Sequence, residues 1–137
     1  MLKIYVDTNV YMDLFGGDFR NSKFKNMADF AAFTFSQVRE GKYQLVVSDW
    51  VIDEFKKYCD EGMINKFLHD FQEGQVVRIA RTKDDEQKAR KLSPTNYTDA
   101  LHVVLALKGN CLYLITQNIQ DFAEFKDFIE VLTPESL

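Results

Sequence analysis

The sequence predicts an α/β fold with a mostly parallel sheet covered by helices on both faces. Short apolar segments recur along the chain, segments of helical period separate them, and glycine or a hydroxyl residue marks the junctions. The first strand is the run Ile4, Tyr5, Val6, which meets Asp7 and then changes period. Val10, Leu14 and Phe15 recur at helical spacing, with Thr8 placed to cap the helix they form. Residues 22 to 42, SKFKNMADFAAFTFSQVREGK, read as a long helix closed by Gly41. YQLVV at 43 to 47 is the second strand, and Ser48 stands at the N-cap of the helix after it. That helix, SDWVIDEFKKYCDEG, carries Trp50, Val51, Phe55 and Tyr58 on an apolar stripe, and MINKFLHDF forms a further helix after Gly62. QVVRIA at 75 to 80 is the third strand, followed by a helix opening on a Thr82/Asp85 capping box. TDALHVVLALKGN is an apolar helix ended by Gly109-Asn110, CLYLIT is the fourth strand, and IEVLT is the fifth.

The chain of 137 residues is expected to form one domain, 1–137, long enough to bury a single core. Its twelve Phe and six Tyr exclude a disordered chain. Cys59 and Cys111 lie in no metal-ligand or redox spacing and read as buried thiols of a cytoplasmic protein. The apolar run at the start is too short for a signal peptide, and no stretch approaches a membrane span. Lys and Arg number 17 against 21 acidic residues, which argues against a basic, sequence-independent nucleic-acid coat.

The acids carry the chemistry. Asp7 ends the first strand, Glu54 lies in the second turn of the helix after the second strand, and Asp121 follows the fourth. Asp99 opens the apolar helix. Ligands of open α/β sheets bind outside the carboxyl ends of the strands, so these four are expected to converge on one rim. Packed together, four carboxylates repel unless a cation compensates them. With no His or Cys cluster beside them, the cation expected is Mg²⁺ or Mn²⁺, and the chemistry is that of phosphate rather than of zinc. Setting the four aside leaves as many acids as bases in the chain. Lys57, Arg78 and Arg81 are among the cations then available to RNA phosphates.

The runs VDTNVYMDLF, VVSDWVIDEF, YTDALHVVLAL, LITQNIQDF and VLTPESL, in that order, resemble the PIN-domain ribonucleases, the fold of the VapC toxins. The resemblance spans nearly the whole chain. It implies a PIN-like three-layer sandwich whose five-stranded sheet has the first strand at its centre, and a metal-dependent endoribonuclease site. Asp7, Glu54 and Asp99 match the family's first three acids. Many relatives carry the fourth acid two residues after the threonine, where this chain has Asn118. Asp121, in the pattern T-x-N-x-x-D-F, matches another family form and is taken as the fourth, with the choice between the two positions open. Asn9, Thr116 and Asn118 fall where supporting polar groups belong. The resemblance further implies a cognate antitoxin and a homodimer, with a stand-alone RNA-processing nuclease and a non-catalytic RNA- or protein-binding module as alternatives.

Each assignment has a plainer counterpart. Asp99 also complements the positive end of its helix, a role worth a few tenths to about 1 kcal/mol. Asp121 stands where an N-cap for a helix beginning at Phe122 would stand. Asp53 neighbours Glu54, but Glu54 is the one six residues after Ser48, as the family has it. Asp13 reads as a solvated acid. His102, three residues after Asp99 on one helical face, reads as a packed, hydrogen-bonded core residue rather than a ligand. GGDF at 16 to 19 lacks the following acid of a cyclic-dinucleotide cyclase signature. Asn9, standing two residues after Asp7, replaces the second acid that a phosphatase-type site requires. The Phe and Met positions between 24 and 35 read as core, with a residual apolar face left for a partner.

Overall fold

A computed structural model describes residues 1–16 and 22–137. Five strands, β1 (Lys3–Val6), β2 (Gln44–Ser48), β3 (Val76–Ile79), β4 (Tyr113–Ile115) and β5 (Glu130–Leu132), form one sheet in the order β3-β2-β1-β4-β5. Every pairing is parallel, and β1 is central. Such a strand, covered on both faces, should be continuously apolar rather than alternating. Ile4, Tyr5 and Val6 are all fully buried, as are the Leu45 to Val47 segment of β2 and Leu114 and Ile115 of β4.

Six α-helices connect them among the described residues: α1 (Thr8–Gly16), α2 (Ser22–Arg39), α3 (Asp49–Lys56), α4 (Glu61–His69), α5 (Lys83–Leu92) and α6 (Tyr97–Lys108). Short 3-10 helices follow β4 at Ile119–Phe125 and close the chain at Pro134–Ser136. Helices α1 and α2 pack on each other, α1 on α3 and α3 on α4, while α5 packs on α6 and α6 on the 3-10 helix after β4. This division into two groups is what right-handed crossovers demand when the chain moves from β1 outward to β3 and then returns to β4. The direction of winding reverses between β1 and β4. That switch point opens the crevice where a doubly wound sheet takes its ligand.

The local signals operate as the sequence suggests at several junctions. Ser48 caps α3 by accepting the Val51 N–H, and Thr82 and Asp85 form a reciprocal capping box at α5. Gly41 ends the α2 region at φ 83°, a left-handed conformation that glycine adopts without a Cβ penalty. Thr8 differs. It lies inside α1, and its hydroxyl donates to Glu54 instead of capping. The helix expected to run through Cys59 stops at Lys56, because Asp60 caps α4 by accepting the Gly62 N–H and forces a break before it. Tyr58, expected on a buried stripe, is consequently 75% exposed. Asp121 does not cap a helix starting at Phe122; it lies in the first turn of the 3-10 helix, which Asn118 precedes. Asp13 is buried rather than solvated. On α2, Phe35 is buried but Phe30 and Phe33 are exposed. Residues 17 to 19 of the GGDF stretch, and Arg20, lie outside the described residues.

Candidate metal-dependent active site

At the switch point, Asp7 continues the β1 ladder by one residue, its N–H donating to Ile115 O at 2.9 Å. On the neighbouring strand, the Thr116 N–H likewise donates to Leu132 O, and the Thr116 hydroxyl donates to Asp7 Oδ2 at 2.8 Å. One oxygen of the buried Asp7 is thus tied to the sheet. The Asn118 N–H donates to Thr116 Oγ1, so the bend after β4 fixes the same hydroxyl from behind. From the other side, Glu54 in the second turn of α3 meets the start of α1, where Thr8 Oγ1 donates to its Oε1 at 2.6 Å. Asp53, one residue earlier, points the other way and pairs with Arg81 and Lys56. Successive helix positions diverge by about 100°, which is why only one of two adjacent acids enters the cleft.

Asp99 approaches on the first turn of α6, an end held down by Trp50 Nε1 donating to Thr98 O at 3.2 Å. Asp7, Thr8, Asn9, Met12, Glu54, Lys57, Tyr58, Thr98 and Asp99 line a cleft of about 290 Å³. Three of the four predicted acids therefore share one cleft. Asp121 is exposed and does not line it, although it stands near enough to raise the proton affinity of Asp99, and its backbone carbonyl accepts from Asn96 Nδ2 at 3.0 Å. Asn118 and Asp121 together line a separate depression. Among the cations expected to serve phosphates, Lys57 lines the cleft and lies 5.3 Å from the Trp50 ring centre, whereas Arg81 is engaged by Asp53 and Glu86.

His102 completes the group. It is fully buried on α6, with Nε2 2.6 Å from Glu54 Oε1 and 3.6 Å from Asp7 Oδ1. The reading of it as a packed, hydrogen-bonded residue holds as far as it goes, but its partner is an acid of the cleft. The spacing of Asp99 and His102 on one helical face was the available signal; that Glu54 would come to meet it from α3 was not legible. One ligand atom each from Asp7, Glu54 and His102 lie within 4.8 Å of one another.

The electrostatics follow from burial and like charge. Burial pushes the Asp7 carboxyl above its ordinary range, against the opposing pull of His102 and Thr116. Asp99 is raised to about 6, first by burial and then by the nearby Asp7 charge. Burial also works against ionised Glu54, but the hydrogen bond and charge of His102 outweigh it and hold Glu54 below its usual value. The His102 ring, whose buried position disfavours charge, is raised by its acid neighbours. Burial and like charge thus make ionisation of Asp7 and Asp99 costly in the metal-free cleft, a cost that a cation would offset. Among the described residues its candidate ligand atoms are carboxylate oxygens together with the His102 ring nitrogen and no thiol, a set in which the oxygens suit a hard divalent cation.

A family model described as PIN domain matches residues 3–120. The chain belongs to the PIN-domain family. No curated protein matches it. PIN domains as a class are nucleases that use divalent metals, so the coarse assignment is a hydrolase of phosphodiester bonds, and the acidic cleft of this PIN domain is compatible with metal binding. Among the described residues, no helix is long and apolar enough to cross a membrane.

Proposed function

We propose that this PIN domain, one domain over 1–137, is a Mg²⁺- or Mn²⁺-dependent endoribonuclease and the toxin of a toxin-antitoxin pair. The observation that carries the nuclease reading is the meeting of Asp7, Glu54 and Asp99 in one cleft at the switch point of the sheet. Asp7, Asp99 and Glu54 would hold the cation, with Asp121 as the outer, fourth acid and Asn9, Thr116 and Asn118 as supporting polar groups. When bound, the cation supplies charge neutralisation at the phosphate and a more acidic water. Thr116 keeps Asp7 Oδ2 fixed, so Asp7 presents Oδ1 in a set direction. Thr8 and His102 do the same for Glu54. In the metal-free cleft burial and the nearby Asp7 charge raise the Asp99 carboxyl to about 6, and a cation shared with Asp7 would relieve that cost by favouring the ionised form. Lys57 stands at the wall of the cleft to receive a phosphate.

The test is cleavage of RNA by the native chain and by Asp7→Asn, each with Mg²⁺, Mn²⁺, Zn²⁺ or EDTA. Cleavage by the native protein alone, and only with Mg²⁺ or Mn²⁺, is expected; activity confined to Zn²⁺ would count against the all-oxygen site. The partner reading, a homodimer whose cleft an antitoxin occludes, is supported by Phe30 and Phe33 left exposed on α2. An antitoxin gene adjoining this one would favour the toxin over a stand-alone RNA-processing nuclease.

A further inference from the structure

The imidazole of His102 lies in a continuous chain of buried hydrogen bonds that begins at a helix cap and ends in the cleft. The Val51 N–H donates to Ser48 Oγ at 3.2 Å, Ser48 Oγ lies 2.7 Å from Tyr5 Oη, and Tyr5 Oη lies 2.7 Å from His102 Nδ1. His102 Nε2 then contacts Glu54 Oε1 at 2.6 Å. Tyr5, Ser48 and His102 are all buried to within about one per cent exposure, so solvent does not supply alternative partners.

Proton bookkeeping restricts what this chain permits. Glu54 Oε1 receives the Thr8 hydroxyl at 2.6 Å as well as Nε2 at 2.6 Å. As an ionised carboxylate Glu54 can only accept, so both the Thr8 hydroxyl and Nε2 donate to its Oε1. Nε2 therefore carries hydrogen. On the far side, a Ser48 O–H donating to Tyr5 and a Tyr5 O–H donating to Nδ1 use each polar hydrogen once. Reversing the Tyr5 hydroxyl makes Nδ1 a donor too and leaves the proton on Nε2 in place. Both arrangements remove the ring's free lone pair from the cleft.

Resting on the nuclease reading above, we propose that His102 is not a metal ligand but a positioning residue. Its Nε2–H, held by Tyr5 and Ser48, fixes Glu54 through Oε1 and would leave the other oxygen, Oε2, available to a cation. Metal-ligating carboxylates are commonly oriented by such outer hydrogen bonds, and their loss typically costs about 10- to 100-fold in metal affinity or activity. Here the orienting group is anchored to the N-cap of α3, the helix that carries Glu54. One hydroxyl, Ser48, therefore sets both the start of that helix and the angle of its acid.

The chain has two histidines, so ¹⁵N-histidine NMR, with His102→Gln to assign the signals, reads the ring directly. The expected result is a protonated, exchange-protected Nε2 in the metal-free protein that persists when Mg²⁺ is added. An unprotonated Nε2, or loss of its hydrogen on adding Mg²⁺, would overturn the proposal. Calorimetry with Mn²⁺ supplies the second arm. Tyr5→Phe, which deletes one hydroxyl and keeps the ring, and His102→Leu should each weaken Mn²⁺ binding about tenfold or more, with His102→Gln recovering part of the loss through its amide N–H. Unchanged Mn²⁺ affinity in Tyr5→Phe and His102→Leu would refute the positioning role. Failure of the native protein to bind Mn²⁺ would instead refute the metal-dependent reading, while the Nε2 signal of the metal-free protein still decides the hydrogen-bond chain.

Discussion

Asp7 and Asp99 are carboxylates that the fold makes harder to ionise, which sets function against stability at single residues. In the metal-free protein, Asp7→Asn or Asp99→Asn should leave the melting temperature equal or higher while abolishing cleavage. A turn or cap Asp would behave in the opposite way. The sign with pH is definite for Asp99. Its folded value of about 6 lies above the ordinary 3.8, so the favourable, protonated state is complete below the lower value and is lost as pH rises through the higher one. At pH 7 the metal-free Asp99→Asn variant should therefore exceed the native protein in stability by on the order of 1 kcal/mol, after allowance for solvent screening of a half-buried group. The difference should vanish near pH 4, and denaturation curves at the two pH values check it. Mn²⁺ affinity of the native chain should fall correspondingly below pH about 6, because protons compete for the same oxygens.

Elements bring these residues to the cleft, and their junctions are where substitutions should tell. Ser48→Ala removes the acceptor of the Val51 N–H and one partner of the Tyr5 hydroxyl. Loss of the cap alone costs about 1 kcal/mol, and the Tyr5 hydroxyl, left with His102 as its remaining partner, loses one buried hydrogen bond besides, so a urea midpoint clearly below native is expected. Gly109, at the end of α6, sits so close to β2 that an added Cβ would lie 2.8 Å from Val46 Cγ1. Gly109→Ala should destabilise by about 1–3 kcal/mol, since α6 or β2 must shift to admit a methyl group. A midpoint equal to that of the native chain would show that the helix end yields freely.

At the scale of the whole molecule, parallel pairing with β1 at the centre aims every strand's carboxyl end at the same rim, and the reversal of winding beside β1 opens that rim into a cleft. A cation bound there joins β1, α3 and α6, which are distant in sequence, and so should stabilise the molecule as a unit. Mg²⁺ at a hundred times its dissociation constant should add about 2.7 kcal/mol to the stability of the native chain, seen as a higher melting temperature than in EDTA. The Asp7→Asn and Asp99→Asn variants should gain much less. Melts of the native chain that coincide with and without millimolar Mg²⁺ or Mn²⁺ would remove the basis for a metal site.

The sequence by itself determined the alternation of five strands with helices, the caps at Ser48 and Thr82, and the junction positions of Asp7, Glu54 and Asp99. These are local matters: apolar period reports which face of an element is buried, and a strand end followed by a helix start is visible within a dozen residues. The preference for Glu54 over Asp53 rested on its place six residues after Ser48, as the family resemblance implies. Only the tertiary structure decided what meets across elements. It sent the Thr8 hydroxyl to Glu54 rather than to its own helix, buried Asp13, and left Asp121 outside the cleft that the other three acids share. It also joined His102 to Glu54 across 48 residues of chain and to Tyr5 across 97. Such pairings depend on crossing geometry and on the register between neighbouring strands, and no periodicity within a single segment encodes them.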